Sequence, residues 1–203
     1  MNSNQTIYVD QSSKKWKAIS DPYLVPYLST YYANTAGRFS SRKWDDAIVS
    51  YIRVWPSDVP TNIVPDPPTK SVVGIDRVTL QGKKAKRTPI MRWPGARPLA
   101  ALATGDFDGD GNLDIIFTRF DPREAVILLG DGKGGFTRAN VEGLRLPPNT
   151  NYDVTIADVN GDGKPDVIVM YESSGATLLS AQNGSIQVFL NRGARAFTTE
   201  ANK

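Results

Sequence analysis

Four carboxylates, Asp106, Asp108, Asp110 and Asp114, crowd into nine consecutive residues, where they repel one another unless a cation lies between them. Oxygen side chains stand at positions 1, 3, 5 and 9 of this run. Gly109 and Gly111, at positions 4 and 6, let the chain curl back on itself. Hard oxygen ligands in a tight loop suit a hard cation such as calcium. The expected ligands are the side chains of Asp106, Asp108, Asp110 and Asp114, with the backbone carbonyl of Asn112. The same pattern recurs as Asp158, Asn160, Asp162 and Asp166, with Lys164 contributing through its carbonyl only, so two calcium sites are expected. A pair of Asp/Gly-rich turns is the plain alternative, but turn chemistry does not demand an acid or amide at every second position in both copies. A helical calcium loop would need an acid at position 12. Phe117 and Val169 stand there.

The elements that hold these loops are repeats. Gly105 to Asp114 recurs as Ala157 to Asp166, and each copy runs into an apolar strand, Ile115-Ile116-Phe117 or Val167-Ile168-Val169-Met170. Further on, Leu128-Leu129-Gly130 through Gly135-Phe136-Thr137 recurs as Phe189-Leu190-Asn191 through Ala196-Phe197-Thr198. The second copy is the longer, and its extra residues fall in the small, polar stretch between Glu172 and Gly184. A worn third copy, Gly37 to Val49, keeps Phe39 and Asp46 but has Arg38, Ser40 and Arg42 where the other loops carry acids, so it is expected to hold no metal. After a Pro-rich excursion from Pro56 to Pro68, Arg77-Val78-Thr79-Leu80 and Thr88 to Trp93 read as a hairpin with its tip at Gln81 to Lys84. The units are placed at 8–93, 94–146 and 147–203. Scattered glycine and proline between short Val/Ile/Leu/Tyr/Phe runs, without helical periodicity, predict an all-β chain.

These loops, with the closing Leu128-Leu129-Gly130-Asp131-Gly132-Lys133-Gly134-Gly135-Phe136-Thr137, resemble the FG-GAP or VCBS repeats of integrin α-like β-propellers and of secreted bacterial and fungal proteins. The resemblance covers residues 94–203 well and 30–55 in degenerate form. It implies four-stranded antiparallel blades stiffened by calcium, a non-catalytic binding or adhesion role, and a protein or carbohydrate ligand. It also implies an extracellular or cell-surface location. Met1 to Thr6 is polar and leads into no signal-type apolar segment, so that location supposes a signal outside this sequence. Closed propellers have about four to eight blades. With about three repeats, the chain is expected to belong to a larger propeller, to complete one by self-association or with a partner chain, or to stack its blades in an open array.

Composition narrows the alternatives. The chain has no histidine and no cysteine, which removes the commonest general base and every thiolate nucleophile or thiolate zinc site. No catalytic residue is expected. No apolar stretch approaches the roughly 18 residues of a membrane-spanning helix. Candidate ligand contacts are the Pro-rich excursion, the Ser173 to Gly184 insertion, and Trp16, Tyr31, Tyr32 and Trp55. A second reading is an accessory propeller segment of a secreted enzyme or toxin assembly. The net charge of +3 and the run Lys83, Lys84, Lys86 and Arg87 suggest a third, an anionic glycan or nucleic-acid surface. A solvated hairpin tip accounts for that run more simply, so nucleic acid is not the expected partner.

Overall fold

The structure, a computed structural model, describes residues 6–10, 16–20, 28–41, 43–54, 72–81, 84–94, 99, 101–120, 123–146, 152–172 and 184–199. Among them there is no helix. Three four-stranded antiparallel meanders follow one another along the chain. Blade 1 is built from β3 (Leu28–Gly37), β4 (Asp46–Val54), β5 (Val72–Gln81) and β6 (Lys84–Pro94). Blade 2 is β7 (Leu102–Gly105), β8 (Asp114–Phe120), β9 (Arg123–Gly130) and β10 (Phe136–Arg138). Blade 3 is β11 (Tyr152–Ala157), β12 (Asp166–Glu172), β13 (Gly184–Asn191) and β14 (Phe197–Thr199). A separate hairpin, β1 (Thr6–Asp10) with β2 (Trp16–Ser20), precedes them. The expected hairpin across residues 77–93 is present, with Gln81 opposite Lys84. The Pro-rich excursion 56–68, Arg42, Trp55, Lys83 and the insertion 173–183 lie outside the described residues, as do the side chains of Trp16, Tyr31 and Tyr32.

Alternation along each strand sends successive side chains to opposite faces, and the central blade is apolar on both. Ile115, Phe117, Val126 and Leu128 of blade 2 meet Phe39, Ile48, Ile52, Val73 and Ile75 of blade 1. Its other face sets Phe107, Ile116 and Ile127 against Val154, Val167, Val169, Phe189 and Phe197 of blade 3. This explains why Ile115-Ile116-Phe117 reads as an unbroken apolar run. Trp93 stacks on Phe117 across the first seam, with ring centroids 5.7 Å apart. The first strands are neighbours too, β7 packing against both β3 and β11. The blades are therefore propeller-like and stack in chain order, as an unclosed set.

Candidate functional site

Each candidate loop joins the first strand of a blade to the second. The first strand ends at Gly37, Gly105 or Ala157 and the second begins at Asp46, Asp114 or Asp166, so the worn copy occupies the same place as the intact ones. Gly109 and Gly111 have φ of 79° and 83°, and Gly161 and Gly163 have 76° and 81°. This left-handed backbone favours glycine, and it produces the curl inferred from positions 4 and 6.

The carboxylate at position 1 staples the curl. Asp106 Oδ1 accepts from the backbone N–H groups of Gly109 and Asp110, and its Oδ2 accepts from Gly111. Asp158 does the same for Gly161, Asp162 and Gly163. The position-9 acid faces inward, where Asp46, Asp114 and Asp166 are all buried. Asp114 Oδ2 accepts from Phe107 N at 2.7 Å and Oδ1 from Gly130 N at 2.8 Å, tying the loop to the end of the third strand. Asp166 repeats the arrangement with Val159 N and Asn191 N.

In the blade 2 loop, Asp106, Asp108 and Asp114 each bring a carboxylate oxygen within 4.8 Å of the others. Asp110 stands apart from that group, its oxygens accepting from the backbone N and the Nδ2 of Asn112. Asp114 carries the electrostatic cost. Burial pushes its pKa up to about 6, and the Asp108 and Asp106 charges add to this, while the bonds from Gly130 and Phe107 oppose it. Because the folded-state pKa lies above the unfolded value, this carboxyl favours folding most at low pH and loses that contribution as pH rises through about 6. The metal-free protein is therefore expected to lose stability between pH 4 and 7 at this group, with the loss reduced in Asp114→Asn; urea melts at each pH check it.

The blade 3 loop is less acidic. Asn160 stands where Asp108 stands in blade 2, and its Oδ1 accepts from Asp162 N. Lys164 Nζ lies 3.1 Å from Asp162 Oδ2. Bonds from the Lys164 backbone and side chain hold the Asp162 carboxyl below the usual range. In the worn loop Ser40 Oγ donates to Asp46 Oδ2 at 2.6 Å, and Arg77 Nη1 lies 3.6 Å from the same oxygen. Arg77 reaches in from β5, and its guanidinium abuts Gly134 of blade 2. Two residues outside the motifs thus complete these sites. Asn191 is the second, its Nδ2 donating to the carbonyls of Phe107 and Pro165 and linking blade 3 to the blade 2 loop. The repeat alignment had placed Asn191 opposite Gly130, and an amide replacing glycine at a strand end was the available signal.

Three stacked four-stranded blades, each with its loop between the first and second strand, define a β-propeller-type repeat module. Residues 106–169 match the FG-GAP-like repeat family and residues 150–189 match the FG-GAP repeat. Residues 106–189, on blades 2 and 3, thus carry FG-GAP repeats. No curated protein matches it.

Proposed function

We propose that the chain is a calcium-stiffened, non-catalytic binding module that works outside the cell. It presents a rigid propeller surface to a protein or carbohydrate ligand and completes that surface by association. The observation that carries the calcium reading is the convergence of Asp106, Asp108 and Asp114 on one point of a glycine-curled loop. Three carboxylates drawn together, one of them buried, make a donor set suited to a hard cation, which would supply the missing positive charge. Asp106, Asp108 and Asp114 would hold it in blade 2, and Asp158, Asn160, Asp162 and Asp166 in blade 3. The second site is the weaker, because Asn160 stands where the first has Asp108 and Lys164 competes for Asp162. Among the described residues no helix is long and apolar enough to cross a membrane.

Titration calorimetry tests this reading. Two sites are expected at about 10⁻⁴ to 10⁻³ M, the range of extracellular modules. Asp108→Ala should remove the tighter one, and Lys164→Ala should strengthen the other. Calcium at a hundredfold excess over its dissociation constant stabilises a fold by about 2.7 kcal/mol per site. Melts in calcium and in chelator should therefore differ by several degrees. No heat at millimolar calcium and superimposable melts would overturn the reading.

A further inference from the structure

The two acidic loops share one buried amide. Asn191 ends β13 of blade 3, and its Nδ2 donates at 3.0 Å to the carbonyl of Phe107, the second residue of the blade 2 loop. The same nitrogen donates at 3.3 Å to the carbonyl of Pro165, the eighth residue of the blade 3 loop. An amide nitrogen carries two N–H donors, so it serves both carbonyls at once. Asn191 Oδ1 accepts from Gly193 N at 2.9 Å, which fixes the orientation, because the reversed amide would set an oxygen against two carbonyl oxygens. From there the bonds run on to both position-9 acids. Phe107 N donates to Asp114 Oδ2 at 2.7 Å, and Asn191 N donates to Asp166 Oδ1 at 2.8 Å. Asp114, Phe107, Asn191 and Asp166 are all buried, so water does not readily replace a bond that one of them gives up. Loosening either loop therefore withdraws a carbonyl from Asn191 and frees the amide from the other.

The bridge is specific to this seam. Gly130 stands opposite Asn191 in the repeat alignment, and a Cβ there would collide with the carbonyl of Leu113, the counterpart of Pro165. Blade 2 thus extends no side chain from this position towards the worn loop of blade 1, whose buried Asp46 is met by Ser40 and Arg77 instead. The amide stands where both neighbouring loops are acidic.

We propose that Asn191 is a positioning residue that couples the two loops, so that calcium in one raises the affinity of the other. The inference rests on the calcium reading above. An ion that orders the blade 2 loop fixes the Phe107 carbonyl and, with it, the Asn191 amide, so the blade 3 loop has less left to order when its own ion binds. By linkage the effect is reciprocal, at about fivefold, the low end for coupled sites. Charge alone acts in the opposite sense, since two bound dications repel.

Calcium titration calorimetry on the wild type and Asp108→Ala tests the coupling without touching Asn191. With the blade 2 site removed, the blade 3 site is expected to bind about fivefold more weakly than the second step of the wild type. In an Asn191→Ala background that difference should vanish. Asn191→Ser, with one donor for two carbonyls, takes its place if the alanine variant does not fold. A second measurement needs no metal. In chelator, hydrogen exchange at the Phe107 N–H should quicken in Asn191→Ala relative to the core amides of blade 1, although the substitution lies in blade 3. A blade 3 site equally tight in Asp108→Ala and in the wild type overturns the coupling and leaves the calcium reading standing. Coupling that survives replacement of Asn191, or Phe107 exchange that does not respond to it, overturns the assignment to this amide and points to the packing of Phe107 on Phe197. No calcium heat in the wild type overturns both readings together.

Discussion

Replacing Asp114 by alanine is expected to destabilise the protein by about 4 kcal/mol. Its two oxygens accept from Phe107 N and Gly130 N in a site with no exposed surface. Alanine would leave both donors buried without a partner, at about 1–3 kcal/mol each. Part of that loss is returned, because the buried carboxylate is itself raised in pKa by desolvation and by its neighbours Asp108 and Asp106. Set against a total stability of about 5–15 kcal/mol, the change removes a large share of the fold. Asp108→Ala provides the contrast. Asp108 is exposed, so its removal should cost little in chelator and matter only in calcium. Chemical denaturation of both variants in both conditions distinguishes a structural clip from a ligand. An Asp114→Ala protein within about 1 kcal/mol of wild type would show that the two backbone bonds do not hold the loop.

That distinction marks the limit of what the sequence reveals. The spacing of Asp106, Asp108, Asp110 and Asp114 presents four equivalent acids, and the strand that follows is legible from Ile115-Ile116-Phe117. The repeat is also legible, down to the worn loop, because Phe39 and Asp46 keep their places relative to Gly37. Spacing alone does not say which acid points inward. The answer depends on where the second strand starts, and pairing of Gly105 with Asp114 turns the ninth position into the sheet while leaving Asp108 outside. Nor does spacing show that Asp110 folds onto Asn112, since a short side chain next to a free backbone N–H takes the local bond. Arg77 and Asn191 are further still from the motif in sequence, and only the meander carries them to it. The exposed Val159 follows from stacking order, which single-repeat patterns do not encode.

Stacking order itself is open to measurement. Phe107→Ala is expected to cost about 3–5 kcal/mol, the range for truncating a buried aromatic. The side chain is 3% exposed and packs across the seam on Phe197, with ring centroids 6.4 Å apart. The seam is reinforced beside it, where Glu142 N donates to Arg195 O and Phe197 N donates to Glu142 O. The cavity therefore opens between blades that are held in place and do not readily collapse. Phe39→Ala should behave alike, since Phe39 is equally buried and meets Phe136 across the first seam. Val159→Ala occupies the same position in the third loop and should cost under about 0.5 kcal/mol, because that side chain is 48% exposed. The aromatic pair adds about 0.5–1.5 kcal/mol of coupling beyond area, recoverable from the Phe107→Ala, Phe197→Ala cycle. Equal, small losses at Phe107 and Val159 would mean that blade 2 does not lean on blade 3. A large loss at Val159 would mean that its exposed side chain is covered in solution.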